Sequence, residues 1–250
     1  MTLPASFQTR PIAHRALHDR SDGRPENSRA AIRAAIARGY GIEIDLQLSA
    51  DGQAMVFHDY ALDRLTGARG AIRDRTAEAL GAIALTGGDE GIPTLAEVLE
   101  ITAGQVPLLV EIKDQDGAMG PDVGPLEQAT AQALDGYAGP VAVMSFNPHS
   151  MAEMARLAPD LPRGLTTCAF DDGDSAKLPE ATRTHLRDIA DFDRVGASFI
   201  SHDLSDLTAA PVTALKARGV PVLCWTVRTP AQEAAARRVA CNITFEQYLA

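Results

Sequence analysis

The sequence is short of several things, and each shortage narrows what the chain can be. Aromatic residues make up only 5% of its 250 positions, with a single tryptophan, Trp225. Cysteine is present three times, as Cys168, Cys224 and Cys241, with no spacing suited to a metal and an odd count for a disulfide framework. Three reduced thiols in a cytoplasmic protein are therefore expected. No apolar run approaches the roughly 18–20 residues that a membrane span requires, and the first ten residues lack the apolar stretch of a secretory leader. Basic residues are outnumbered, 23 against 33 acidic, for a formal charge of −10. A binder of nucleic acid needs a basic stripe to displace counterions, so that class of partner is excluded, as is a membrane surface. A small anionic substrate stays compatible, because local cations and a bound metal set the field inside a pocket.

What is present is a hydrophobic fraction of 46%, enough for a sizeable core without disulfides. Short apolar runs alternate with amphipathic ones. Strands are predicted at 11–15, 41–48, 54–58, 107–113, 141–145, 162–167, 197–201 and 220–226, and helices at 28–38, 95–103, 125–134, 149–157, 180–191, 209–218 and 230–239. Runs that are apolar at every position, such as Val141-Ala-Val-Met144, suit strands buried on both faces, as in a parallel sheet. Eight strands alternating with helices in this length predict a single (β/α)8 barrel domain over residues 1–250. Helix starts carry their own signals, notably the capping box Thr94-Leu-Ala-Glu97. Two irregularities distort the pattern. The link from Asp45 to Val56 is too short for a crossover helix, and residues 60–92 form a long excursion. The barrel is thus expected to lack one outer helix and to carry a small inserted lobe after its third strand.

In such a barrel functional groups gather at the carboxyl ends of the strands. The first four strands end on His14-Arg15, Glu43-Ile-Asp45, His58-Asp59 and Glu111-Ile-Lys113. Side chains two apart share a face, about 6.5–7 Å apart along the strand. Glu43 and Asp45 therefore point together, as do Glu111 and Lys113. Three carboxylates facing one small volume repel unless a cation joins them, and a single Mg²⁺ or Ca²⁺ suits an oxygen donor set. Three carboxylates, one divalent ion, Arg15 and Lys113 sum to +1, which a phosphodiester monoanion cancels. His14 and His58 then supply an acid and a base for hydrolysis. A lone histidine or a lone Glu-x-Asp is more often structural; their coincidence at successive strand ends gives these weight. His18, His149 and His185 lack that setting and are expected at the surface or in caps, while His202 follows the seventh strand without a clear role.

Ile12-Ala-His-Arg15, Pro25-Glu-Asn27, Glu43-Ile-Asp45, Asp51-Gly52, His58-Asp59, Ile92-Pro-Thr-Leu95, Glu111-Ile-Lys113 and Trp225-Thr-Val227 together resemble the ordered motifs of the glycerophosphodiester phosphodiesterases. The resemblance runs from residue 11 to about 228. It implies a distorted barrel that hydrolyses a small glycerophosphodiester to sn-glycerol 3-phosphate and an alcohol, with one divalent cation. By that resemblance His14 is the base and His58 the acid, Glu43, Asp45 and Glu111 hold the metal, and Arg15 and Lys113 contact phosphate. Glu26 is expected beside the metal site, Asn27 as the cap of the next helix, and Trp225 as a wall against the glycerol. Two positions depart from the family. Ala16 replaces a glycine, which carries a cost if that backbone needs positive φ, and Arg228 replaces an asparagine at the pocket rim. A lysophospholipid substrate and a barrel that binds phosphodiester without turnover are the rival readings, and a homo-oligomer is left open.

Overall fold

The computed structural model describes residues 2–171, 173 and 175–250. In chain order the strands are β1 (Ile12–Ala13), β2 (Gly41–Leu48), β3 (Ala54–Val56), β4 (Leu108–Ile112), β5 (Val141–Ser145), β6 (Arg163–Thr167), β7 (Phe199–Asp203), β8 (Val222–Val227) and β9 (Asn242–Phe245). The helices are α1 (Ser6–Thr9), α2 (Arg29–Ala37), α3 (Ala77–Gly81), α4 (Leu95–Thr102), α5 (Pro125–Leu134), α6 (Pro148–Leu157), α7 (Glu180–Arg187), α8 (Ala210–Ala217) and α9 (Pro230–Ala236). All strands but β3 pair in parallel, in the order β1-β2-β4-β5-β6-β7-β8-β9, and β9 returns to β1 to close an eight-stranded barrel.

One strand assignment expected from sequence needs correction, and one barrel strand was not expected. The run at 54–58 is not a barrel strand: β3 is a hairpin partner of β2, antiparallel, with Leu46 opposite Val56 and Leu48 opposite Ala54. The Ser49–Gly52 turn, closed by Gly52 N–H donating to Ser49 O at 3.1 Å, reverses the chain too soon for a crossover. The place in the barrel goes instead to β9, a four-residue strand too short and too polar to stand out. The short link from β2 to β3 carries no helix, as expected, but it is not a barrel crossover: α4 connects β2 to β4, and among the described residues no helix follows β9.

Helix ends follow the chemistry of their sequences. Thr94 and Glu97 satisfy each other's backbone amides in a capping box, and Thr229 accepts from Gln232 N–H ahead of α9. The cap of α2 is Ser28, whose hydroxyl accepts from Ala31 N–H, rather than Asn27.

The larger apolar cluster lies between barrel and helices. A second one fills the barrel's amino-terminal end, where Leu3 and Phe7 pack on Ile12, Leu109, Met144, Phe199 and Leu223. Asn242 Nδ2 donates to Phe7 O at 2.7 Å and Arg10 O at 2.6 Å, so the amide of β9 holds this plug in place. The cavity described below lies at the opposite, carboxyl end. The segment after β3 carries its own small core of Phe57, Leu62, Leu65, Ile72, Leu80, Leu85 and Ile92 packed with Met55. This is the inserted lobe.

Candidate active site

The carboxyl end of the barrel holds a cavity of about 150 Å³ lined by His14, Arg15, Glu43, Asp45, His58, Glu111, Lys113, Met144, Phe146, Trp225, Thr226, Arg228 and Thr244. Of the nine residues singled out from sequence, eight line it. Glu26 does not, but it reaches the cavity wall through Arg15, accepting from Nη1 at 2.7 Å.

Register explains the convergence of the acids. Asp45 on β2 sits directly across from Glu111 on β4, and Glu43 lies one pleat repeat below Asp45. Oxygen atoms from Glu43, Asp45 and Glu111 all fall within 4.8 Å of one another, and all three side chains are buried. Lys113 closes the group, its Nζ 2.7 Å from Asp45 Oδ1 and 2.5 Å from Glu111 Oε1. Glu43 accepts the backbone N–H of Arg15 at 2.8 Å. Asn27 Nδ2 donates to Asp45 Oδ2 at 2.9 Å, and Asp45 N–H returns a bond to Asn27 Oδ1 at 3.3 Å. Asn27 thus orients a carboxylate, and the next residue caps the helix.

The electrostatics of the group are unbalanced. Burial pushes the Glu43 carboxyl well above its ordinary range, and neighbouring Asp45 and Glu111 push it further. Burial opposes ionisation of Asp45 too, but the Lys113 ammonium, with His58 and Arg15 nearby, outweighs it and holds that carboxyl low. One lysine and one more distant arginine therefore stabilise part of the charge, and the remaining like-charge repulsion falls on Glu43. A divalent cation among the three oxygens would remove that conflict, and all-carboxylate donors suit a hard ion. The residues present fit such an ion.

Both histidines are anchored by a carboxylate through Nδ1, leaving Nε2 available. His14 Nδ1 lies 2.6 Å from Glu246 Oε2, and His58 Nδ1 lies 2.7 Å from Asp59 Oδ1. Burial lowers the His14 pKa below 6.5 and Arg15 lowers it further, against an upward pull from Glu246. Burial thus favours the neutral imidazole of His14, whose Nδ1 faces Glu246. Glu246 itself is held low despite partial burial, chiefly by its hydrogen bond to His14, then by His18 Nε2 at 3.5 Å and Arg228 Nε at 2.7 Å.

Trp225 faces the cavity with its ring edge-to-face on Phe146, centroids 5.5 Å apart, and its Nε1–H donates to Ser201 O at 3.0 Å. Arg15 and Ala16 both adopt left-handed backbone, at φ 52° and 64°. The alanine therefore sits where glycine is favoured, at about 1–2 kcal/mol, while its N–H donates to Glu43 O at 2.9 Å. Arg228 reaches the cavity but is bound to Glu246.

The remaining histidines divide. His18, expected at the surface, is mostly buried beside Glu246, and His185 pairs with Asp191 at 2.7 Å. His202 is buried and bonded to Thr167 and to Asp206 O, outside the cavity. Sequence reasoning missed Glu246, Arg64 and Phe146. Glu246 lies 232 residues from its partner, just after the strand that went unseen.

Residues 14–244 match the glycerophosphoryl diester phosphodiesterase family, and the chain belongs to it. A glycerophosphodiester phosphodiesterase of Caldanaerobacter subterraneus subsp. tengcongensis is 35% identical over 169 residues, 64% of this chain and 67% of that protein. The putative glycerophosphodiester phosphodiesterase YhdW of Bacillus subtilis is 27% identical over 243 residues, 93% of this chain and 90% of its own length. Among solved structures, an Oleispira antarctica phosphodiesterase in complex with the product sn-glycerol-3-phosphate superposes with a TM-score of 0.78 at 25% identity, covering 97% of this chain and 94% of that one. The protein is an enzyme, a glycerophosphodiester phosphodiesterase.

Proposed function

We propose that the enzyme hydrolyses small glycerophosphodiesters to sn-glycerol 3-phosphate and an alcohol, with one bound Mg²⁺ or Ca²⁺ and the imidazoles of His14 and His58 as base and acid. The observation that carries this reading is the meeting, in one cavity, of three buried carboxylates with two imidazoles that each present Nε2. Glu43, Asp45 and Glu111 would hold the ion, which when bound supplies Lewis-acid stabilisation of charge on the phosphoryl oxygens.

The chain's own residues do the rest. His14, neutral and fixed by Glu246, accepts at Nε2 the proton of the attacking water. His58, fixed by Asp59, delivers a proton from Nε2 to the departing alkoxide, so one water is consumed and an alcohol released. Arg15 and Lys113, already lining the cavity, balance the phosphate's negative charge. Phe146 and Trp225 give the glycerol an apolar wall that sheds water. A lysophospholipid is disfavoured by a surface whose exposed large apolar side chains, among the described residues, are Tyr60 and Leu249.

The test is turnover of glycerophosphocholine and of a lysophospholipid by wild type, His14→Ala and His58→Ala, with Mg²⁺, with Ca²⁺ and in excess chelator. Each alanine variant should lower kcat by about 10²–10⁴-fold, and chelation should abolish activity reversibly. Near-wild-type turnover by either variant, or full activity in chelator, would remove that group from the mechanism; faster turnover of the lysolipid would change the substrate.

A further inference from the structure

The two halves of the reaction site are joined by a residue with no contact to the cavity. Arg64 belongs to the inserted lobe, between Leu62 and Leu65, whose side chains are buried in the lobe's own core. Those two leucines fix the backbone and send the guanidinium outward. It meets Asp59 with Nε at 2.6 Å and Nη2 at 2.8 Å, and Glu26 with Nη1 and Nη2, both at 2.9 Å. Asp59 Oδ1 is the atom that anchors His58 Nδ1, and Glu26 Oε1 is the atom that accepts from Arg15 Nη1. A continuous run of charge-assisted bonds thus passes His58–Asp59–Arg64–Glu26–Arg15.

We infer that Arg64 is a positioning residue that sets the orientation of His58 and of Arg15 together, so that the lobe, rather than the barrel, aligns the proton donor with the phosphate-binding guanidinium. The inference rests on the phosphodiesterase reading above. The geometry favours it over a merely structural role in two ways. A planar fork serves both carboxylates at once, each with two bonds, which no other side chain reproduces; a lysine has one point charge and can satisfy one partner at a time. Arg64 is also close to half exposed, and ion pairs at exposed sites add little to stability. Because Glu26 keeps Arg15 and Asp59 keeps His58 as partners, removing Arg64 should leave the chain folded and show itself in the chemistry. Asp59 and Glu26 are both held ionised by this arrangement, against their burial.

The experiment compares wild type, Arg64→Ala and Arg64→Lys on two esters of sn-glycerol 3-phosphate: the choline ester, whose alkoxide must be protonated on departure, and the 4-nitrophenyl ester, whose phenolate leaves without help. Arg64→Ala should lower kcat on the choline ester by about 10–100-fold, the usual cost of losing a partner that orients a functional group. On the aryl ester kcat should stay within about threefold, while KM rises on both as Arg15 loses its brace. The melting temperature should fall by no more than a few degrees, with the chain still folded at the assay temperature. Millimolar guanidinium should restore part of the lost kcat of Arg64→Ala where ethylammonium does not, and Arg64→Lys should remain impaired. Asp59→Asn made in the Arg64→Ala background should cost much less than in wild type, as for residues acting in one unit. Unchanged kinetics on both esters, or an equal fall in kcat on both, would overturn the inference. Wild-type turnover of the choline ester tests the underlying reading separately, since it does not depend on Arg64.

Discussion

Glu246→Gln isolates what a carboxylate contributes to His14. The wild-type side chain uses both oxygens, Oε2 at 2.6 Å from His14 Nδ1 and Oε1 at 2.7 Å from Arg228 Nε. Both partners are donors. Glutamine keeps the shape but has one acceptor oxygen, so either His14 or Arg228 must face an NH₂ group, and the negative charge is gone. A hydrogen bond to a charged group contributes about 1.5–3 kcal/mol, which at 1.36 kcal/mol per decade is about 10–150-fold in rate. We expect kcat/KM of the variant to fall by that amount on its pH plateau.

The pH profile adds a sign. His14 must be neutral to act as base, so its pKa governs the acid limb. In wild type burial and then Arg15 push that pKa down, and Glu246 pulls it up, with a smaller upward pull from Asp45. Loss of the carboxylate removes the main upward pull. The acid limb should therefore move to lower pH while the plateau drops. The measurement is kcat/KM against pH at saturating metal, with melting temperature as a control. A variant within twofold of wild type, or an acid limb displaced to higher pH, would refute the assignment of Glu246 as partner of a basic His14.

Two further outcomes follow from the packing and charge of the barrel. Adding Mg²⁺ or Ca²⁺ at about 100 times its dissociation constant should stabilise the fold by about 2.7 kcal/mol, or about 5–11 °C in melting temperature for a chain of this length, and Glu43→Gln should shrink the shift; no shift at saturating metal would argue against an ion among the three carboxylates. Gly164→Ala should destabilise by about 1–3 kcal/mol, the usual cost of overpacking, because its added Cβ would lie 2.5–2.7 Å from ring atoms of Phe199 inside the closed barrel; denaturant melts within error of wild type would show that the ring has room to move.

How far the sequence was legible depended on how local each signal was. The apolar strands β2, β4 and β5 and the helices α2, α4, α5 and α6 stand where their periodicity and caps place them. So do the strand-end pairs Glu43/Asp45 and Glu111/Lys113, since a period of two is a property of the strand alone. The antiparallel turn into β3 was not readable as such: Ala54–Val56 is as apolar and as buried as a barrel strand, and its direction is set by the Ser49–Gly52 turn. Strand β9 alternates polar Asn242 and Thr244 inside the barrel with Ile243 and Phe245 outside, a pattern too brief to separate from a loop. Missing it hid Glu246. Arg64 was hidden differently, because a charged residue in a polar excursion has no local mark of purpose; its role comes from two carboxylates at sequence separations of 5 and 38.

The inserted lobe has a hydrophobic centre of its own, separate from the two that hold the barrel together. Drift in its interior can therefore be absorbed locally, provided the residues at its edge, His58, Asp59 and Arg64, keep their places. Such a segment could be exchanged as a unit so long as Arg64 and its two carboxylate partners are kept. Swapping it whole would alter the approach to the chamber without repacking the barrel beneath.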